Sequence, residues 1–328
     1  MEEYRAKNLL ITGGCGFIGS NVVNYLIDKY QDIKIVNVDI LDYCADRKNV
    51  EIEEGEKYKL YVCSITDKVK ILNILIENKI DTVMHLAAQT HVDNSFGNSL
   101  IFTETNTMGT HVLLECCRIY GGIKRFIHMS TDEVYGEILE GKCSTSSLLN
   151  PTNPYAASKA GAEFIVNSYR ISYGMPTIIT RGNNVYGPRQ YPEKLIPKFI
   201  LHLLNNKKCP VHGEGKSRRN FIYVNDVARA LDIIMTKGEI GEIYNIGTDC
   251  EKSVLDILDI LIPALHKDPS LSWISFATDR LFNDKRYAID SSNLRSLGWS
   301  ELTSLEEGMS STIDWYTSKR SSYSISYN

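Results

Sequence analysis

Residues 11–20, ITGGCGFIGS, decide the fold because they place a glycine-rich turn between an apolar run and a helical segment. Gly14, Gly16 and Gly19 fit the pattern G-x-G-x-x-G, and Gly13, Gly16 and Gly19 fit G-x-x-G-x-x-G. Glycine lets the backbone approach a pyrophosphate, and the free amides at a helix N-terminus attract its negative charge. Between a strand and a helix, this turn predicts a dinucleotide-binding site.

Asp39 indicates which dinucleotide binds. It ends the second apolar run, about twenty residues after the glycine turn, as the dinucleotide pattern requires. A carboxylate at this position binds both ribose hydroxyls and repels a 2′-phosphate. Ile40 and Leu41 follow, with no arginine to receive that phosphate. We therefore predict NAD rather than NADP as the cofactor.

Apolar runs alternate with segments of helical periodicity as far as Arg181. The predicted strands lie at 7–12, 33–38, 58–63, 81–88, 124–130 and 176–181, and the predicted helices at 20–30, 68–77, 99–120 and 155–173. This alternation predicts an α/β fold, a Rossmann-type doubly wound parallel sheet. After Arg181 glycine and proline cluster. We predict a mainly NAD-binding domain at 1–182, a smaller interleaved substrate domain at 183–317 and a disordered tail at 318–328.

The composition excludes several classes of protein. The net charge of −4 and the absence of a basic block argue against a nucleic-acid partner. Eight cysteines without C-x-x-C or zinc-like spacing predict no metal site and a reducing compartment. The N-terminus lacks the apolar region of a signal peptide, and no window approaches the roughly 18–20 apolar residues of a membrane span. We predict a cytoplasmic protein without a membrane partner.

Tyr155 and Lys159 stand four residues apart, on one face of a predicted helix. Tyrosine has a pKa of about 10 and is a poor base alone. A nearby ammonium and a cationic nicotinamide ring would favour the phenolate, which can take a proton from an alcohol. A surface pair has the same spacing. The upstream glycine turn and Ser130, which ends a predicted strand, favour the catalytic interpretation.

These motifs, together with HLAA at 85–88, resemble the extended short-chain dehydrogenase/reductase superfamily over residues 7–317. The stretch STDEVYG, 130–136, resembles the nucleoside-diphosphate-glucose 4,6-dehydratases. Epimerases and decarboxylases of the superfamily usually carry small or neutral residues where Asp132 and Glu133 stand. The stretches 87–99 and 180–188 are most similar to UDP-glucose 4,6-dehydratases, including the N-terminal part of plant rhamnose synthases.

The resemblance implies a lyase that converts UDP-glucose to UDP-4-keto-6-deoxy-glucose with bound NAD. Oxidation at C4 would precede loss of water across C5 and C6 and return of hydride to C6. Tyr155 would remove the 4-OH proton, with Thr131 and Lys159 beside it. Asp132 would protonate the C6 oxygen, and Glu133 would take the C5 proton. Asp132 must then stay protonated near neutral pH, which burial or a neighbouring carboxylate can achieve.

The resemblance also implies two sets of binding residues. The implied cofactor contacts are Gly13, Gly16, Phe17, Ile18, Gly19, Asp39, Ser64, Ile65, Leu86, Ala87, Ala88, Thr105, Ser130, Tyr155, Lys159 and Asn184. The implied nucleotide-sugar contacts are Thr90, Thr131, Asn183, Lys194, Leu195, Pro210, His212, Arg219, Asn245 and Arg280. Cationic and amide donors among them suit the diphosphate, and His212 would stack on the nucleobase.

Other substrates and functions stay open at this point. Gln89-Thr90 and Leu281-Phe282-Asn283 differ from the Glu-Ser and Pro-Gly-His of bacterial dTDP-glucose enzymes, which favours UDP-glucose. A dTDP-glucose substrate remains the alternative because one methyl group changes binding by only about 1–3 kcal/mol. An NAD-dependent epimerase or decarboxylase and a non-catalytic NAD-sensing protein are further alternatives. The apolar helices at 99–120 and 155–173 predict a homodimer, since such helices pair in this superfamily.

Overall fold

The computed structural model describes residues 3–269, 272–278 and 284–319. The predicted substrate residue Arg280 and residues 320–328 of the predicted tail lie outside these ranges. The strands are β1 (Asn8–Thr12), β2 (Lys34–Asp39), β3 (Tyr58–Val62), β4 (Thr82–His85), β5 (Arg125–Thr131), β6 (Thr177–Gly182), β7 (Asn184–Tyr186), β8 (Cys209–His212), β9 (Arg218–Tyr223), β10 (Ile243–Ile246), β11 (Glu251–Ser253) and β12 (Ile274–Ala277). The α-helices are α1 (Phe17–Lys29), α2 (Lys68–Glu77), α3 (Val92–Gly97), α4 (Ser99–Phe102), α5 (Gly109–Tyr120), α6 (Pro154–Tyr173), α7 (Leu195–Leu204), α8 (Val224–Lys237), α9 (Val254–Ala264), α10 (Ser292–Ser296) and α11 (Leu305–Ser318).

The main sheet has seven strands in the order β10-β6-β5-β4-β1-β2-β3. All neighbouring strands in it are parallel. Because β1 lies between β2 and β4, the order of the strands reverses there. Folds of this kind bind ligands at the carboxyl ends of the strands beside that switch point. The predicted doubly wound α/β fold is confirmed.

Helices cover both faces of the main sheet, which is why its strands are apolar on both sides. Leu9 and Ile11 of β1 face a core that includes residues of α1 and α8. Leu10 faces the opposite core, which includes residues of α2, α5 and α6. All three side chains are fully buried. Each burial of this kind contributes about 1.5–3 kcal/mol, so the glycine turn follows a firmly anchored strand.

A third core lies among the C-terminal elements, with apolar residues from α7, α9, α11, β8 and β9. Two small sheets, in the orders β11-β9-β7 and β12-β8, belong to this half of the chain. β10 instead pairs with β6 in the main sheet, with Ile243 opposite Ile179. The chain after residue 183 therefore contributes to the main sheet and to the third core. The domain boundary at 182 stays a prediction.

Local sequence signals determine where α6 begins and ends. Asn153 is its N-cap, and the Asn153 Oδ1 accepts a hydrogen bond from the Ala156 amide at 2.8 Å. Pro154 occupies the first helical position, where a missing N–H costs nothing. Gly174 ends the helix in the left-handed conformation, with φ of 65°. An asparagine cap typically contributes about 1 kcal/mol. Tyr155 consequently lies in the first turn of α6.

The predicted helix at 99–120 is interrupted in the structure. α4 is followed by a π-helical segment, Thr103–Met108, before α5 begins. Asn106 in this segment accepts a hydrogen bond from the Gln89 amide at 2.8 Å and donates to the Ser158 hydroxyl at 2.9 Å. Single π-helical turns are frequent at functional sites. Hydrophobic periodicity does not reveal such a turn, because the change lies in the backbone hydrogen bonding.

Candidate active site

A first cleft opens at the carboxyl ends of β1, β2 and β4, at the switch point of the sheet. The predicted cofactor residues that line it are Gly13, Gly16, Phe17, Ile18, Gly19, Asp39, Ser64, Ile65, Leu86, Ala87, Ala88 and Thr105. Residues scattered over about ninety positions of the sequence therefore meet in one cleft. We call it the cofactor cleft.

The glycine turn is shaped to receive a pyrophosphate. Gly13 has φ of 73°, and a Cβ there would lie 2.8 Å from the Cα of Ala87. A Cβ at Gly19 would collide with the Gly13 carbonyl oxygen. Gly16, the N-cap of α1, supplies no side-chain hydrogen bond to the first turn. The amides that begin α1 therefore keep donor capacity for an anion in the cleft.

Asp39 is buried at one end of the cofactor cleft, with 6% of its surface exposed. Its Oδ2 accepts a hydrogen bond from the Cys15 amide at 2.9 Å, and its Oδ1 accepts one from the Leu41 amide at 2.8 Å. Burial raises the pKa of Asp39, whereas these two amides oppose the rise. A carboxylate held in this way retains lone pairs for ribose hydroxyls, so the residues fit a dinucleotide without a 2′-phosphate.

A second cleft continues from the cofactor cleft, and Thr90, Glu193 and Lys194 line both. The predicted substrate residues that line this substrate cleft are Thr90, Lys194, Leu195, Pro210, His212 and Arg219. Asn184, predicted to contact the cofactor, also lines it. The two clefts adjoin, so a small molecule in the second would lie next to a dinucleotide in the first. Lys194 and Arg219 provide the positive charge that a diphosphate requires.

The five predicted catalytic residues come together beside these clefts. Thr131 ends β5, and Asp132 and Glu133 begin the 3₁₀ turn that follows it. Tyr155 and Lys159 belong to α6, which packs against β5. The pKa of Tyr155 is affected by a hydrogen bond with Thr131 and by the charges of both acids, so the phenol contacts Thr131 and lies within electrostatic reach of Asp132 and Glu133.

Asp132 has the environment that a general acid needs. It is 2% exposed, and its pKa is raised to about 7, first by burial and then by the charge of Glu133. Asn183 opposes this rise, since its Nδ2 donates to the Asp132 Oδ2 at 2.7 Å. A large fraction of Asp132 is therefore protonated near neutral pH. This is the condition that the proposed acid must meet.

Glu133 lines the substrate cleft and is surrounded by groups that favour its ionised form. Burial raises its pKa, while the Asn153 amide and the positive charges of Arg219 and Lys194 oppose the rise. The Asn153 Nδ2 donates to the Glu133 Oε2 at 3.1 Å. Glu133 thus combines access to the cleft with support for a carboxylate, as a general base requires.

The Lys159 ammonium contacts the backbone, and its predicted effect on the Tyr155 phenolate stays a prediction. The pKa of Tyr155 is raised, first by burial and then by the charges of Glu133 and Asp132. The Lys159 ammonium donates to the Met129 carbonyl at 2.6 Å, and burial lowers its pKa to about 8. The hydrogen bond with Thr131 is what lowers the pKa of the phenol. A fixed i,i+4 spacing therefore did not determine where the ammonium points.

Three predicted binding residues lie behind the clefts. The Asn183 amide binds Asp132, so it contacts the proposed acid within the protein. Asn245 is fully buried, accepts a hydrogen bond from the Tyr135 hydroxyl at 2.9 Å and donates to backbone carbonyls. Ser130 is 4% exposed, and no described residue hydrogen-bonds to its hydroxyl. The structure does not bring Asn183 and Asn245 to the substrate cleft as donors, because their amides are already engaged.

Three further residues of the substrate cleft, Asn153, Asp284 and Tyr287, were not predicted. The Tyr287 hydroxyl donates to Asp284, and the Thr152 hydroxyl donates to the same carboxylate oxygen at 2.6 Å. The guanidinium of Arg219 lies 4.7 Å from the centre of the Tyr287 ring. Asp284 and Tyr287 belong to the stretch DRLFNDKRYAID, 279–290, which resembles the dehydratases. That signal marks the segment but not which side chains face the cleft.

Comparisons with known proteins identify the family of the chain. The profile of the family described as GDP-mannose 4,6 dehydratase matches residues 10–312. A trifunctional UDP-glucose 4,6-dehydratase/UDP-4-keto-6-deoxy-D-glucose 3,5-epimerase/UDP-4-keto-L-rhamnose-reductase of Arabidopsis thaliana is 52% identical over 319 residues, which cover 96% of this chain and 48% of the relative. The chain therefore spans about half the length of that relative.

Two other similar proteins match over most of their own length. A dTDP-D-glucose 4,6-dehydratase of Mus musculus is 48% identical over 316 residues, which cover 95% of this chain and 89% of the relative. The crystal structure of DesIV, a dTDP-glucose 4,6-dehydratase of Streptomyces venezuelae with NAD and TYD bound, has a TM-score of 0.92 and 37% identity, covering 97% of this chain and 99% of that one. The predicted resemblance to nucleoside-diphosphate-glucose 4,6-dehydratases is confirmed by these relatives, and the chain belongs to the family described as GDP-mannose 4,6 dehydratase.

Proposed function

We propose that the chain is an NAD-dependent UDP-glucose 4,6-dehydratase that forms UDP-4-keto-6-deoxy-glucose. The observation that carries this proposal is the pair Asp132 and Glu133, a buried acid next to a half-buried one, close to Tyr155. A simple oxidoreductase or epimerase of this fold has no use for two further proton-transfer groups. Because this fold supports many different reactions, the function has to be argued from the residues of the site. The trifunctional Arabidopsis relative, whose name includes this activity, supports the choice of UDP-glucose.

The residues of the two clefts have separate tasks in this reaction. Bound NAD, held by the cofactor cleft, would accept hydride from C4 and return it to C6, and its positive charge would favour the Tyr155 phenolate. Tyr155 takes the 4-OH proton, and the ketone then acidifies the C5 proton. Glu133 takes that proton while Asp132 protonates the C6 oxygen, so water leaves. Glu133 exchanges its proton with solvent and afterwards protonates C5.

The proton balance of this cycle requires one external transfer. Tyr155 ends the cycle with one proton more, and Asp132 ends it with one proton fewer. Transfer through solvent resets both groups. NAD is regenerated in each cycle, so we expect turnover without a stoichiometric supply of it.

Incubation with UDP-glucose tests the proposed function. We expect a 4-keto-6-deoxy product, which absorbs in alkali. Formation of UDP-galactose would identify an epimerase instead, and a need for one added NAD per product would contradict internal hydride return.

dTDP-glucose is the second candidate substrate. Two observations favour it: the similarity to the Mus musculus enzyme and the similarity to DesIV, both named as dTDP-glucose dehydratases. We expect a higher kcat/KM for UDP-glucose than for dTDP-glucose. The methyl group that distinguishes the two nucleobases accounts for a ratio of about 10–200-fold, and a larger ratio would indicate that the site also binds the ribose 2′-hydroxyl, which dTDP-glucose lacks. A higher kcat/KM for dTDP-glucose would replace the first candidate with the second.

Turnover should fall above about pH 7, because Asp132 must carry the proton that it gives to the C6 oxygen. With its pKa raised to about 7, the acid is protonated below this pH and ionised above it. Each further pH unit lowers the protonated fraction of Asp132 about tenfold. A kcat profile measures this limb. A profile that stays flat up to about pH 8, where Lys159 begins to lose its charge, would contradict the role of Asp132.

We also propose that the chain forms a homodimer in the cytoplasm. Leu100, Met108, Phe164 and Ile171 are more than half exposed, and they lie on or between the helices α4 and α6. Such exposed apolar side chains on neighbouring helices suit a second copy of the chain. The eight cysteines are free thiols, as expected in a reducing compartment. None of the described helices has the length and apolarity needed to cross a membrane. Light scattering that shows only monomer would contradict the dimer.

A further inference from the structure

We propose that Asn153 is a positioning residue for the elimination step, which fixes the base Glu133 to the helix that carries Tyr155. This inference rests on the proposed function. Asn153 lines the substrate cleft and is 7% exposed. Its carboxamide makes two side-chain hydrogen bonds. The Nδ2 donates to the Glu133 Oε2 at 3.1 Å, and the Oδ1 accepts from the Ala156 amide at 2.8 Å.

The orientation of this carboxamide is determined by its partners. A backbone N–H can only donate, so the oxygen of Asn153 must face Ala156. The NH₂ group is then directed at Glu133. Asn153 also accepts a hydrogen bond at its backbone carbonyl from the Ala157 amide at 2.9 Å, which ties the residue to the first turn of α6. The base and the first turn of α6 are therefore held by one side chain.

Helix capping alone does not require asparagine at this position. Serine, threonine and aspartate cap helices about as well, since capping needs only an acceptor oxygen. Holding Glu133 as a carboxylate needs a donor beside that acceptor. Asparagine carries the acceptor and the donor on two separate atoms, whereas serine and threonine have one hydroxyl oxygen for both partners and ionised aspartate has no donor. The two roles can therefore be separated by substitution.

The groups that surround Glu133 determine how strongly the donor matters. Titratable groups that interact with Glu133 are Asp132, Tyr155, Lys194, Arg219, Asp284 and Tyr287. Lys194 and Arg219 favour the carboxylate, whereas burial and the charge of Asp284 oppose it. The hydrogen bond from Asn153 lowers the pKa of Glu133 more than any other single interaction does. Loss of its donor should leave the base protonated at a higher pH than in the parent.

The substitutions Asn153→Ser and Asn153→Asp test the proposal in the full chain. Both keep a capping oxygen, but serine lacks the NH₂ group that reaches Glu133 and has only a shorter hydroxyl, which is engaged at the cap. Aspartate has no donor and puts a negative charge near Glu133. We expect exchange of the C5 hydrogen with deuterated solvent to fall by about ten- to a hundredfold, as for loss of one hydrogen bond to a charged group. The acidic limb of the kcat profile should move to higher pH, further for aspartate than for serine.

Two measurements separate positioning from a structural role. Oxidation at C4, followed as absorbance of reduced nicotinamide, and the melting temperature should stay close to those of the parent. Asn167→Ser, an exposed position on the same helix, is the matched control and should change neither exchange nor the profile. Parental C5 exchange and an unchanged profile in both Asn153 variants would overturn the proposal. The proposal would also be overturned if oxidation at C4 and the melting temperature fell together with C5 exchange. That result would show that Asn153 only caps α6.

A readout without turnover distinguishes this inference from the proposed function. Infrared difference spectra between the parent and Glu133→Gln report the ionisation of the Glu133 carboxyl. We expect its titration to move to higher pH in Asn153→Ser. An unmoved titration overturns the role of Asn153, whatever sugar nucleotide the enzyme uses. A moved titration without any 4-keto-6-deoxy product from the parent would instead reject the proposed function alone.

Discussion

Replacing Glu133 by glutamine is expected to lower formation of the 4-keto-6-deoxy product by about 10²–10⁴-fold, the usual worth of a general base. Glutamine keeps the size of the side chain and an oxygen that can accept the hydrogen bond from Asn153. An amide cannot take the C5 proton, so elimination should stop. Oxidation at C4 depends on Tyr155 and should continue. Mixing the variant with UDP-glucose should therefore give persistent reduced nicotinamide and no exchange at C5.

A control for this variant lies a few residues further along the chain. Glu140 is exposed, and Glu140→Gln removes the same charge without reaching either cleft. It should turn over like the parent. Parental turnover in Glu133→Gln itself would refute the assigned role of this acid.

Glu133→Gln should also change its neighbour. The charge of Glu133 is the second cause of the raised pKa of Asp132, after burial. Two adjacent carboxyls titrate as a coupled pair, and their repulsion favours the state in which only one of them is ionised. The reaction needs this state, with a proton on Asp132 and none on Glu133. The adjacent positions of Asp132 and Glu133 thus help to keep one acid protonated and the other ionised, in addition to placing two groups near C5 and C6.

The parts of the fold and the site that sequence could predict are those set by local patterns. The glycine turn requires glycine at positions 13 and 19 for steric reasons that involve its own backbone and one neighbouring loop. Asp39, Thr131 and Glu133 follow directly from strand ends, and strand ends follow from apolar runs. In a parallel sheet, the carboxyl ends of neighbouring strands meet at one edge. Local patterns were therefore sufficient to bring these residues together.

The missed features depend on contacts between distant segments. Asn183 and Asn245 are amides of the predicted kind, but Asp132 and Tyr135, more than fifty residues earlier in the chain, occupy them. The hydrogen bond from the Lys159 ammonium to the Met129 carbonyl, on a strand, was likewise not predicted. Which polar partner a buried side chain takes depends on the packing of the elements around it. No spacing within one helix or strand contains that information.

Replacing Tyr155 by phenylalanine is expected to stop the reaction one step earlier than the Glu133 variant. Without the phenol no group takes the 4-OH proton, so oxidation at C4 should fall by about 10²–10⁴-fold. Neither reduced nicotinamide nor C5 exchange should then appear, because the C5 proton becomes acidic only after the ketone forms. The ring of Tyr155 packs edge-on against Phe102, at 6.3 Å between centres, and phenylalanine keeps this contact. The fold should lose only about 1 kcal/mol, for one hydrogen bond with Thr131.

The contrast between the two variants tests the order of the steps. Tyr173→Phe, in the last turn of α6 and 58% exposed, removes a phenol from the same helix and should leave oxidation unchanged. If Tyr155→Phe forms reduced nicotinamide at the parental rate, Tyr155 is not the group that takes the 4-OH proton. Elimination without prior oxidation would be equally incompatible, since C5 then has no adjacent ketone. If Tyr155 acts first and Glu133 second, Glu133→Gln should accumulate reduced nicotinamide without C5 exchange. Tyr155→Phe should show neither signal.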